Sequence, residues 1–241
     1  MKNILCVGCS WTFGHNLKSH QTYPAKLQDK LFDYKVINAG LGGRDNWYSC
    51  FSVMRLLREM HLDAVIFQLT TLDRLTLGND GYENFINDSF FDTSKKFLYN
   101  MDDKYSRLGS IDHQLHLYLT SGKYLKSRDR TVKYLTEKTV RSNYSADSLA
   151  MQLFLLKEFL QKKKIPLMFF SWVPLNEDFF ETSYGSHVFN DENFISTSVK
   201  NFLHESKHDF YIDNGFHISE NGNSFLVDNY IFPYLKRLIN L

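Results

Sequence analysis

A chain of 241 residues is long enough for one domain with a well-buried core and short for two, and its 43% hydrophobic and 23% charged residues are those of an ordinary globular protein. The formal net charge of +1 gives no global signal for nucleic acid, and none is expected as a partner. No stretch approaches the roughly 18–20 uninterrupted apolar residues that span a bilayer, so no membrane span is expected.

The opening apolar run, residues 4–7, is too short for a secretory signal and reads as a strand ending in the turn Gly8-Cys9-Ser10. Further strand-length runs lie at 35–37, 64–69, 166–170 and 210–212. Helical patterns fill the gaps. Residues 23–31 place Leu27 and Leu31 four apart, and 46–60 carry Phe51, Met54 and Leu57 behind Asn46 as a cap. Residues 145–162 repeat Leu149, Leu153, Leu156 and Leu160 behind a Ser145 cap and end in three lysines, which suits a helix C-terminus. The last pattern, 219–241, is expected to kink or divide at Pro233.

Strands alternating with helices predict an α/β fold, because parallel strands need crossovers and those are usually helical. Ligands bind such sheets beyond the C-terminal ends of the strands, where Ser10, the turn 40–46, the turn 70–74 and His217 are all expected to emerge. The alternation fails between Leu75 and Asn143, so residues 75–143 are read as an insertion or lid-like region within a single domain covering 1–241. Residues 95–141 hold 11 basic and 5 acidic residues, interleaved with Tyr99, Tyr105, Tyr118, Tyr124 and Tyr134. The bland reading is a solvated helix face; the functional one is a patch for an anionic glycan.

Cys6, Cys9 and Cys50 are an odd number at spacings unlike any zinc pattern, so free buried thiols in a reducing cytoplasm are expected. His113 and His116 lack a third ligand nearby, and no metal is expected. Gly40-x-Gly42-Gly43 has adjacent second and third glycines and no following Lys-Ser/Thr, which argues against nucleotide binding. His15 and His20, near the nucleophile turn, are read as surface residues.

A serine hydroxyl becomes a competent nucleophile only when a base takes its proton and donors await the oxyanion. Ser10 after the first strand and His217 in a late turn can supply nucleophile and base. Together, Gly8-Cys9-Ser10, Asn38-Ala39-Gly40-Leu41-Gly42-Gly43 and Asn214-Gly215-Phe216-His217 resemble, in order and spacing over the whole chain, the SGNH/GDSL hydrolase superfamily. The resemblance implies a flavodoxin-like three-layer α/β/α sandwich with a central parallel sheet of about five strands and the long insertion after the third. It also implies no cofactor. Ser10 is then the nucleophile, with its backbone N–H and that of Gly43 as oxyanion donors; Gly40 shapes the turn and Cys9 replaces an acid of structural role. Leu72 stands where the family places an asparagine donor, and Thr70, Thr71, Asn46 or Arg74 are the candidates to replace it. His217 is the base, oriented by Asn214 or, with the turn shifted by one residue, by Asp213. Asn46, Thr70, Thr71, Arg74 and Trp11 are pocket candidates.

The expected function is serine-dependent ester hydrolysis, removing a small acyl group from a carbohydrate or similar ester. Two alternatives stand beside it: an O-acyltransferase acting on a cell-surface or capsular glycan, and a non-catalytic binding module on the same fold.

Overall fold

The computed structural model describes residues 1–42, 44–70, 143–175, 177–189, 192–206, 210–212 and 217–241, with the backbone alone for 143–146 and 177–178. The insertion expected over 75–143 lies, Asn143 apart, outside the described residues.

Strands β1 (Lys2–Val7), β2 (Tyr34–Asn38), β3 (Ala64–Leu69), β4 (Leu167–Ser171) and β5 (Phe194–Ile195) form one parallel sheet in the order β2-β1-β3-β4-β5. The helices are α1 (Ser10–Phe13), α2 (Tyr23–Gln28), α3 (Asn46–Glu59), α4 (Asn143–Lys162), α5 (Glu177–Phe180), α6 (Gly185–Val188), α7 (Val199–Glu205), α8 (Glu220–Leu226) and α9 (Phe232–Leu238). A separate antiparallel ribbon pairs β6 (Tyr211–Ile212) with β7 (His217–Ile218). Among the described residues no helix is long and apolar enough to cross a membrane.

The inner strands β1, β3 and β4 are buried on both faces over most of their length, which is why they read as apolar runs, while the edge strands β2 and β5 are mostly half-buried. Side chains alternate along each strand. Ile4, Cys6, Ile66, Met168 and Phe170 join one core with Leu27 of α2, Leu203 of α7, Leu226 of α8 and Leu235 of α9. Leu5, Val7, Val65, Phe67 and Phe169 alternate with these and are equally buried, on the face where α3 and α4 pack. The result is the expected three-layer sandwich.

Several local expectations change. The run 210–212 does form a strand, but in the ribbon; the fifth strand of the main sheet is the two-residue β5, too short to leave a pattern in the sequence. Helix α3 is capped by Asp45, whose Oδ1 accepts from Tyr48 N at 2.8 Å, because the Asn46 amide is engaged elsewhere. Phe51 and Met54 do not face the core. They are 47% and 39% exposed, while Cys50, Val53 and Leu56 turn inward, with Ser49 and Ser52 between them letting the helix approach. Phe51 and Met54 instead line an apolar groove with Trp47 and Leu155. Helix α4 starts two residues before the expected Ser145 cap. The C-terminal pattern divides as expected around Pro233, through a π-helical turn at Val227–Ile231 that ends just before the proline at the start of α9.

Candidate active site

Strand β1 ends at Val7, paired with Phe67 of β3, and one residue further Gly8 meets Gln68. Gly8 has φ 155°, and a Cβ there would overlap the Thr12 hydroxyl and the Gln68 amide oxygen, so only glycine lets the chain turn this tightly. Cys9 then caps the four-residue α1, and Ser10 opens it.

Gln68 is buried, and its Oε1 accepts from Cys9 N–H at 3.1 Å, Thr12 Oγ1 at 3.1 Å and Cys9 Sγ at 3.3 Å, while its Nε2 donates to Leu69 O at 2.6 Å. The Tyr23 hydroxyl lies 3.3 Å from Thr12 Oγ1, within hydrogen-bond distance. Burial pushes the Tyr23 phenol well up and raises the Cys6 thiol beside it. The nucleophile turn thus rests on a neutral buried network. Sequence reasoning missed Gln68; the signal was one amide in the otherwise apolar Ala64–Leu69.

The second block lies against this turn. Asn38 Nδ2 donates to Thr12 O at 2.8 Å, Asn38 Oδ1 accepts from Gly40 N at 3.0 Å, and Leu41 N donates to Gly8 O at 3.0 Å. A Cβ on Gly40 would fall 2.5 Å from Phe13 N and 2.6 Å from Thr12 Cβ, so this glycine is required by close approach to α1. At Gly42 a Cβ would lie 4.0 Å from Ser10 Cβ, so the loop passes the nucleophile immediately before Gly43.

His217 arrives from the other end of the chain. It pairs with Ile212 across the ribbon, and Ser219, two residues on, donates its N–H to Phe210 O at 2.7 Å and accepts from Gly222 N at 3.2 Å, capping α8. Glu220 fixes that helix to the α2 region through Lys26 Nζ at 2.6 Å and Gln21 Nε2 at 2.7 Å, and the Lys26 hydrogen bond, then that of Gln21, holds its carboxyl below the usual range. His217 Nε2 consequently stands 3.1 Å from Ser10 Oγ. That is hydrogen-bond distance, the geometry in which an imidazole can take a serine hydroxyl's proton.

Trp11 is buried, stacked on Trp172 with planes 21° apart, and its ring centroid lies 5.1 Å from that of His217. His15 is exposed, as expected, yet its ring centroid lies 4.8 Å from that of His217. Asn46 and Thr70 meet each other: Asn46 Oδ1 accepts from Thr70 N at 2.9 Å and Asn46 Nδ2 donates to Thr70 O at 3.2 Å, clasping α3 to the end of β3. Gly43, Thr71, Leu72, Arg74, Asp213 and Asn214 lie outside the described residues.

No protein-family model matches the sequence, and no curated protein matches it. Solved structures do. The crystal structure of TesA aligns over 98% of this chain and 99% of its own at 17% identity and TM-score 0.54. The psychrotrophic esterase EstA from Pseudoalteromonas sp., in a structure inhibited by monoethylphosphonate, aligns over the full length of both chains at 13% identity and TM-score 0.54. The end-to-end alignments show that the chain shares the α/β/α fold of these two proteins, with the parallel sheet in the order β2-β1-β3-β4-β5.

Proposed function

We propose that this protein is a serine ester hydrolase working through an acyl-enzyme on Ser10. The observation that carries the reading is the 3.1 Å approach of His217 Nε2 to Ser10 Oγ at the C-terminal edge of the sheet. The shared fold with an esterase, EstA, supports it.

Ser10 Oγ attacks the ester carbonyl as its proton passes to His217 Nε2. The oxyanion is held by the N–H groups of Ser10 and Gly43, and the intermediate collapses when His217 returns the proton to the departing alcohol. Water, deprotonated by His217, then cleaves the Ser10 ester and releases the acid. Asp213 or Asn214 orients the imidazole in this scheme; a carboxylate would also stabilise the imidazolium, which an amide does less well.

The substrate we propose is a small acyl group on a carbohydrate or similar alcohol. Its support is compositional: the basic, tyrosine-bearing residues 95–141 suit sugar stacking and an anionic glycan, residues 75–143 being read as an insertion or lid-like region of the same domain. A reducing, cytoplasmic setting suits the free, buried Cys6, Cys9 and Cys50.

Labelling with a fluorophosphonate probe followed by peptide mass spectrometry tests the reading. An adduct on Ser10 that disappears in Ser10→Ala and His217→Ala is the expected result, with turnover of acetyl esters falling about 10⁴-fold or more in either variant. A correctly folded protein that takes up no label overturns it and favours the binding module. Product analysis with added sugars separates hydrolysis from transfer.

A further inference from the structure

We propose that the groove between α3 and α4 is a second ligand site, taking a soluble single-chain amphiphile with an anionic head, such as a long-chain fatty acid, with the head at the sheet edge opposite Ser10. The inference does not depend on the hydrolytic reading. Parallel neighbouring strands make their crossover helices run the same way. Helix α3 leads into β3 and α4 into β4, which are paired in the sheet, and each helix ends five positions before its strand begins, Glu59 before Ala64 and Lys162 before Leu167. The two helices pack together with both C-terminal ends at the N-terminal edge of the sheet. Their stripes change character in step. On α3, Trp47, Phe51, Met54 and Arg58 fall at i, i+4, i+7 and i+11; on α4, Leu155, Phe159 and Lys162 fall at i, i+4 and i+7. Each stripe is apolar until its last turn and cationic there.

The groove encloses about 610 Å³, within the roughly 300–1,000 Å³ of small-molecule sites, and its walls are the apolar side chains of these stripes. From Trp47 to Arg58 the helical rise is about 16 Å. Half of a bilayer's roughly 30 Å hydrocarbon core is about 15 Å, so the stripe has the length of one membrane-type acyl chain. The charge at its far end has the complementary sign for a carboxylate. Lys162 borders the groove, and Arg58 and Lys163 line a further cavity at the same edge, where Glu158 and Glu59 are the acids and are outnumbered by these three cations. Neither Arg58 nor Lys162 has a carboxylate partner among the ion pairs of the described residues. A chain laid along the groove takes Trp47, Phe51, Met54 and Leu155 out of water and brings its head to those cations.

The test titrates the full chain with sodium laurate below its micellar concentration, by calorimetry and by tryptophan emission, the Trp47 contribution being identified by its loss in Trp47→Phe. Saturable binding at one site is expected, with octanoate weaker because it fills less of the stripe. Leu155→Glu and Phe51→Glu place a negative charge inside the groove at positions 56% and 47% exposed, so both variants should keep the wild-type melting transition while each weakens laurate binding about tenfold or more. Arg58→Gln combined with Lys162→Gln should weaken laurate binding severalfold and flatten its dependence on salt. A folded chain that binds no laurate, or one whose affinity is the same in Leu155→Glu and Phe51→Glu, overturns the inference. So does a concentration-dependent dimer that Leu155→Glu dissociates, which gives the face to a second copy, and so does binding only to phosphatidylglycerol vesicles, which gives it to a membrane surface. Hydrolytic activity is not read in any of these measurements, so the two proposals fail separately.

Discussion

Replacing Gln68 by methionine keeps the side-chain length and removes the acceptor shared by Cys9 N–H, Cys9 Sγ and the Thr12 hydroxyl. Each of these donors is buried, so the substitution leaves polar groups stranded and should cost about 1–3 kcal/mol of stability by thermal or urea denaturation. Because the same bonds aim the nucleophile turn, kcat should fall roughly 10- to 100-fold while the protein stays folded. A variant with unchanged kcat would show that α1 is held by the second block alone. Ser10, His217 and Gly40 can be read from the sequence because each sits in a contiguous motif whose residue types have few other uses. Gln68 acts across the sheet, 59 positions from Cys9, and no local pattern reports that distance. The same is true of the Asn46–Thr70 clasp, which takes the amide away from the capping role its position suggested and leaves that role to Asp45.

At the scale of elements, the contact between the β2 exit and α1 is set by what Gly40 lacks. A methyl group there would press on Phe13 N and the Thr12 side chain, and neither can retreat without shifting the helix that begins at Ser10. Gly40→Ala should therefore lower stability by about 1–3 kcal/mol and slow fluorophosphonate labelling of Ser10 together, whereas simple overpacking away from the site would affect only the first. Strands β1, β3 and β4 are legible in sequence because burial on both faces makes most of each apolar, whereas the half-buried edge strand β2 leaves only the short run at 35–37. The two-residue β5 is not, and although the apolar triplet at 210–212 marks the strand β6, nothing local shows that it pairs in a separate ribbon while the phenylalanine-isoleucine pair at 194–195 joins the main sheet. Helix α3 shows the opposite failure. Trp47, Phe51 and Met54 mark an outer groove, and the buried positions are held by Asn46, Tyr48, two serines, a cysteine and two aliphatic residues whose apolar periodicity is weaker.

Across the described residues, the buried acids are mostly thiols and phenols, with the Asp45 carboxylate that caps α3 beside them. Burial raises Cys6, Cys50, Tyr23, Tyr48 and Tyr230 from ordinary values of 9.0 for the thiols and 10.0 for the phenols. Above about pH 9 the unfolded chain releases these protons while the folded chain keeps them, so the unfolded state binds fewer protons and stability falls as pH rises. Below that point the groups are protonated in both states and contribute no slope. Calorimetry between about pH 8 and pH 11 should show Tm declining with proton release on unfolding, and Tyr23→Phe should flatten the decline by removing one of the responsible groups. A Tm independent of pH over that range would mean the phenols ionise without unfolding.

Ser10 and His217 are 207 residues apart in sequence and 3.1 Å apart in space. Translation runs from N to C, so on the proposed reading the serine is made 207 residues before the histidine that serves as its base. Until β6 and β7 pair and α8 seats against α2, the Ser10 hydroxyl is an unactivated alcohol. If the proposed hydrolysis holds, the growing chain is chemically silent towards esters, and it is the pairing of the late ribbon that arms the serine.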